Sequence, residues 1–181
     1  MGYSVRVSAV STERTPERIA IVGIGGKPGS GTASLALALA HHIGSARCVI
    51  VAADEYGESQ QVDSLLLRLR ELRAHRAEPS GSHLDRIIFV EGTLTLALPS
   101  LRKLCDVTVF LDVPEILREE KIGSGEVQAQ GYALPRQAPT PGPTPDELEE
   151  ISARKADITV DGASISGLDS KILWGAIRAA L

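Results

Sequence analysis

Ten residues, Gly25 to Ser34 (GGKPGSGTAS), lie between an apolar run, IAIVGI, and a helix-forming run, LALALAHHI. Strand, glycine-rich turn and helix in that order are how a phosphate-binding loop is written. The glycines let several backbone N–H groups and the positive end of the helix converge on one point. The pattern G-x-x-x-x-G-K-[ST] fits at Gly26 and Gly31, but Thr32 stands at the lysine position and Ala33 at the position of the hydroxyl that holds Mg²⁺. An anion can still be met by the loop residues Gly26, Lys27, Gly29, Ser30, Gly31 and Thr32. The ammonium that tracks charge on the phosphates and the magnesium hydroxyl are both replaced, and loss of a single transition-state donor costs about 10² to 10³ in rate. The motif therefore predicts a fold more directly than an activity.

The remaining strand candidates are apolar throughout: CVIVAAD, RIIFVEG, DVTVFLDV and ADITV. Continuous rather than alternating apolar character implies burial on both faces. The expected fold class is α/β, a three-layer sandwich with a mainly parallel central sheet of the P-loop NTPase/kinase-like type. Helices are expected over Thr32 to Ile43, over VDSLLLRLRELRAHR with Leu65, Leu66, Leu69 and Leu72 on one face, over Leu96 to Leu104, from Pro114, over LEEISARK and over Leu168 to Ala180. Residues 1–17 read as an edge strand or a tail. Residues 123–145, rich in Gly and Pro and without periodicity, read as a mobile loop.

At 181 residues with 43% apolar content, the chain is long enough for one full core, so residues 1–181 are expected to form a single domain. A net charge of −4 without a basic stripe argues against nucleic acid as a partner. No stretch reaches the roughly 18 apolar residues that span a membrane, and the first residues lack the apolar core of a signal peptide. Cys48 and Cys105 adjoin strands without metal-type spacing, so they are expected as buried thiols in a reducing compartment, with no metal ligands of their own. A soluble cytoplasmic protein is the expectation.

In parallel sheets, ligands sit at the carboxyl ends of the strands. Asp54, Glu91 and Asp112 stand there. Asp54, beside Glu55 and Tyr56, is placed to take a proton from a substrate hydroxyl. Glu91 could hold Mg²⁺ through water or orient a substrate. The alternative for both is that they cap the helices that follow. Asp112, in LDVPE, reads as a helix cap.

In order along the chain, these motifs resemble the uridine kinase and phosphoribulokinase-like branch of the P-loop kinases. After the glycine loop, that family shows a strand ending in Asp followed by an aromatic, as Asp54 and Tyr56. A D-x-L-L-type helix start follows, as in VDSLLLRLREL, and then a strand ending in E-G, as Glu91 and Gly92. A leucine-rich helix leads into D-x-x-[IV]-F-[LV]-D, as in LRKLCDVTVFLD, and an A-D-[IV]-x-[IV]-x-x-G segment closes the set, as in ADITVDG. The resemblance covers most of the chain. It implies ATP and Mg²⁺ as cofactors, phosphoryl transfer to a small-molecule hydroxyl, Asp54 as the catalytic base and an adenine near the loop after ADITV.

Departures stand beside the matches. Thr32 and Ala33 leave the phosphate loop incomplete, and the family's arginine-bearing lid is matched only by a segment with Arg118 and Lys121. The nucleoside-binding stretch is compressed to EPSGSHLDR, which leaves His83 and Arg86, with Tyr56, as substrate candidates, and His83 reads more readily as a solvent-exposed loop histidine. Lys27 holds the position of a signature lysine in some dimeric P-loop ATPases and could supply charge in cis or across a homodimer, or be a solvated charge. His41 and His42 read as helix surface. Three functions remain open: a small-molecule kinase acting through Asp54 and Glu91, a catalytically silent nucleotide-binding or scaffold relative, and an enzyme reusing Asp54 or Glu91 for ATP-independent acid/base chemistry.

Overall fold

The structure is a computed structural model that describes residues 19–56, 59–74, 86–123, 150, 153–161 and 170–181. The apolar runs form strands β1 (Ala20–Gly26), β2 (Cys48–Ala52), β3 (Ile87–Glu91), β4 (Val107–Asp112) and β5 (Ile158–Asp161). They make one five-stranded sheet in the order β2-β3-β1-β4-β5, and every pairing is parallel. All residues of β1 and β3 are buried, which is why these strands are apolar without alternation.

Helices cover both faces. On one, α1 (Thr32–Ile43) and α6 (Ser170–Ala180) bring Leu35, Leu39, Leu173 and Ile177 onto Val22, Ile24, Phe89, Val109 and Leu111. On the other, α2 (Ser59–Ala74), α3 (Thr93–Ala97) and α4 (Pro99–Arg102) bring Leu65, Leu69, Leu94 and Leu101 onto Ile21, Val51, Ile88 and Val90. Successive residues of β1, Ile21 and Val22, thus enter different cores, as the strand's period of two requires. Each of these large apolar side chains contributes about 1.5–3 kcal/mol on burial. The three-layer α/β arrangement is the one expected from the sequence.

Two boundaries differ from expectation for identifiable reasons. β1 runs two residues into the glycine stretch, because Gly25 and Gly26 pair with Phe110 and Leu111 of β4. The helix expected over Leu96 to Leu104 is instead α3 and α4, divided at Leu98. Pro99 disfavours helical backbone at the residue before it, and Leu98 is extended, with φ −87° and ψ 115°. The last helix is described over Ser170–Ala180, with residues 168 and 169 of its expected span outside the described residues, and the helix expected from Pro114 is α5 (Glu115–Gly123). Residues 1–17, the Gly/Pro-rich segment beyond Gly123, and His83 lie outside the described residues.

Aspartates fix the amino ends of the strands. Asp106 Oδ2 accepts from Ile21 N at 2.8 Å, while its backbone N–H donates to Ile21 O at 2.7 Å. Arg73 of α2 pairs with its other oxygen. Asp157 accepts from both the N–H and the hydroxyl of Thr108, at 2.8 and 2.7 Å, and so ties β5 to β4. Among the described residues, no helix is long and apolar enough to cross a membrane.

Candidate functional site

β1 lies between β3 and β4, so the chain leaves its carboxyl end at the point where the strand order reverses, the usual crevice of an open parallel sheet. There the backbone turns through Lys27 to Ser30, closed by a Ser30 N–H to Lys27 O bond of 2.9 Å, and enters α1. Gly29 and Gly31 take φ of 81° and 88°, the left-handed region that glycine alone enters without strain. No side chain caps α1 at Gly31, so its first amides are left to the loop.

Ser30 is 1% exposed, and its hydroxyl has no hydrogen-bond partner. It is folded to the inside of the turn: a Cβ on Gly26 would lie 2.4 Å from Ser30 Oγ. A buried hydroxyl without a partner is uncommon and points to a group that the protein itself does not supply. Lys27 is half-buried and engaged in an interaction of its own.

Thr32, the first residue of α1, turns its hydroxyl onto the neighbouring strand end and donates to Glu91 Oε2 at 2.7 Å. Glu91 is 8% exposed. Burial pushes its carboxyl above the usual glutamate range; the Thr32 hydrogen bond opposes this, and the charges of Asp54 and Glu55 add to it. A buried carboxyl thus meets a hydroxyl at the position where the full loop pattern carries its lysine.

Asp54 follows β2 in a short turn of 3-10 helix, Ala53–Tyr56. Its two oxygens accept from Thr93 N and Leu94 N, each at 2.9 Å, and so satisfy the first amides of α3. Asp54 does cap a helix, but it is α3, some forty residues along, and not the helix that follows it, as the sequence alternative had it. Tyr56 half-buries its ring against the α2 face and accepts from Arg68 at 3.1 Å.

Arg118 of α5 donates to Val113 O at 3.1 Å and to Pro28 O at 3.4 Å, bracing α5 against the glycine loop. Lys121 is also on α5, with its side chain outside the described residues. Asp112 is exposed at the end of β4, opposite Asp161. His41 and His42 are exposed in the last turn of α1.

Arg86 does not join this group. It immediately precedes β3, at the opposite end of that strand from Glu91, because the register starts at Ile87. With Arg68, Glu71, Leu72 and Ile19 it lines a cavity of about 340 Å³ at the amino ends of the strands, remote from the glycine loop. The structure therefore brings together the loop, Thr32, Glu91, Asp54 and Arg118, and sets Arg86 apart.

No family model matches the sequence, and no curated protein matches it. Solved structures do match in fold. Shikimate kinase from Acinetobacter baumannii, in complex with shikimate, is 13% identical over 90% of this chain and 95% of that one, with a TM-score of 0.50. A protein from Thermus thermophilus is 15% identical over 91% and 98%, with a TM-score of 0.53. A possible uridine kinase from Bacillus stearothermophilus is 19% identical over 83% and 92%, with a TM-score of 0.49, too low to weigh. The chain has a P-loop kinase-like fold, and identities this low speak to the fold alone.

Proposed function

We propose that this chain binds the phosphate group of a nucleotide or phosphorylated small molecule at Gly26 to Thr32, without ATP-dependent phosphoryl transfer. The observation that carries the reading is the hydrogen bond from Thr32 to Glu91. The residue in the lysine position is short, neutral and turned onto a carboxylate, so that position offers no ammonium to follow a migrating phosphoryl group. The loop itself fits phosphate oxygens: glycines in the left-handed region, an uncapped helix start and the buried Ser30 hydroxyl all suit an anion.

The same residues do not fit Mg²⁺. Ala33 supplies no oxygen at the magnesium-ligand position, and each Asp54 oxygen already accepts an amide of α3. Asp54 is held in place by two amides of α3, a structural role that weighs against the kinase reading.

The test is calorimetric titration with ATP and ADP, with and without Mg²⁺. Binding that is indifferent to Mg²⁺, together with no ATP turnover, is expected. Mg²⁺-dependent binding with turnover toward an alcohol acceptor would restore the kinase reading.

Glu91 supports a second reading, acid/base chemistry on a phosphorylated ligand, because a buried carboxyl with a raised pKa beside an anion site can hold a proton at mild pH. That reading requires turnover that survives without nucleotide triphosphate and is lost in Glu91→Gln.

A further inference from the structure

We propose that Glu91 makes the glycine loop selective for a phosphate group that still carries a proton, so that phosphate is accepted and sulfate, of similar size and shape, is refused. The inference rests on the phosphate-binding reading above and concerns how the same site chooses its ligand.

Glu91 Oε2 is occupied by the Thr32 hydroxyl, and among the described residues Oε1 has no hydrogen-bond partner. Oε1 is also absent from the wholly buried unpartnered atoms, so it retains some accessible surface. Thr32 is the first residue of α1, and its hydroxyl joins the carboxylate directly to the helix end that would receive the anion. The charged groups acting on Glu91 are Asp54 and Glu55, both acidic, so no cation within that set offsets it.

An ionised carboxylate can only accept hydrogen bonds. Hydrogen phosphate brings an O–H that it can donate to Oε1 while its other oxygens take the loop amides and the Ser30 hydroxyl. Sulfate brings no proton, so its oxygens would face the carboxylate with no hydrogen between them. That is discrimination by a built-in repulsion, the cheapest way to separate two ligands of one shape. A phosphate monoester, whose second pKa is near 6, meets the same requirement only as its monoanion. Its affinity should therefore rise as pH falls toward that value.

The experiment is titration of the full chain with inorganic phosphate and with sulfate at pH 8, in the wild type and in Glu91→Gln. The wild type should prefer phosphate by about tenfold or more, the scale of one charge-assisted hydrogen bond made or denied. In Glu91→Gln the amide N–H can donate to either anion, and the preference should collapse to roughly two- to threefold or less. Equal binding of both anions by the wild type would overturn the inference and leave the loop as a plain anion site. Absence of binding by either anion in both proteins would overturn the phosphate-binding reading itself. The wild-type comparison needs no variant, so a poorly folded Glu91→Gln would not rescue the idea.

Discussion

Gly92 lies so close to the Asp54 carboxylate that no side chain fits between them: a Cβ on Gly92 would stand 2.7 Å from Asp54 Cγ and 2.8 Å from each oxygen. The approach is what lets Asp54 reach the first amides of α3. Gly92 also has φ of 124°, outside the range that other residues adopt freely. Gly92→Ala therefore strains the backbone and displaces the cap together. We expect a loss of about 2–4 kcal/mol, read by urea unfolding.

Asp54→Ala removes two hydrogen bonds from the start of α3 and should cost about 1–2 kcal/mol of stability. Asp54→Asn keeps one acceptor oxygen and should cost less. A side chain serving only as a base would leave the unfolding midpoint unmoved, so a pair of denaturation curves separates the two roles.

Glu91 links stability to pH in a fixed direction. Its carboxyl is raised in the fold above an ordinary value of 4.5, chiefly by burial. Between 4.5 and the folded value, the folded chain holds a proton that the unfolded chain has released, so folding stability declines as pH rises through that window. Glu91→Gln keeps an acceptor for the Thr32 hydroxyl and removes the titration. Relative to the wild type, its stability should improve from pH 4.5 to pH 8, measured as the difference in unfolding free energy at each pH. A difference that stays constant would show that burial does not tax the charged form.

The sheet was legible because each strand is a continuous apolar run punctuated by glycine or an acidic residue, and the loop because GGKPGSGTAS sits between strand and helix. What the sequence could not disclose were the partners of the polar side chains. Asp54 caps a helix about forty residues downstream, and Thr32 meets Glu91 only because β3 pairs with β1 in a register that sets Ile24 opposite Glu91. Such pairings depend on strand order, which no local pattern encodes. Arg86, a substrate candidate only through the family resemblance, lies elsewhere because the extended strand β3 separates it from Glu91 and carries the two to opposite ends of the sheet. The break at Leu98, by contrast, could have been read from Pro99.

The two thiols should be slow to react in the native protein. Burial, aided by the neighbouring charge of Asp106, pushes the Cys105 thiol up to about 12, and its Sγ lies 3.4 Å from Leu101 O. Cys48 is also raised by burial, only partly countered by Arg47. Since the thiolate is the nucleophile, iodoacetamide at pH 8 should leave Cys105 unlabelled in native protein and label it fully in denaturant. Cys48, less buried, should react first. Rapid native labelling of Cys105 would show that the end of α4 opens readily.

Restoring the loop pattern tests whether anything else in the kinase machinery is in place. In Thr32→Lys with Ala33→Ser, the new ammonium enters beside Glu91, where the Thr32 hydroxyl now donates, and the serine returns a candidate magnesium oxygen. Part of the lysine's charge will be spent on Glu91, but that pairing would also lower the carboxyl toward its ordinary range and bring positive charge to the phosphate site. ADP affinity should rise by roughly tenfold, on the scale of one charge-assisted contact. ATP turnover should not rise with it, because Asp54 stays bound to Thr93 N and Leu94 N and is held on α3 rather than turned to a substrate hydroxyl. Tighter binding without turnover identifies Asp54, and not the loop alone, as a barrier to phosphoryl transfer. A gain of several orders of magnitude in turnover would instead show that Asp54 leaves α3 when substrate binds, and would return the chain to the small-molecule kinases.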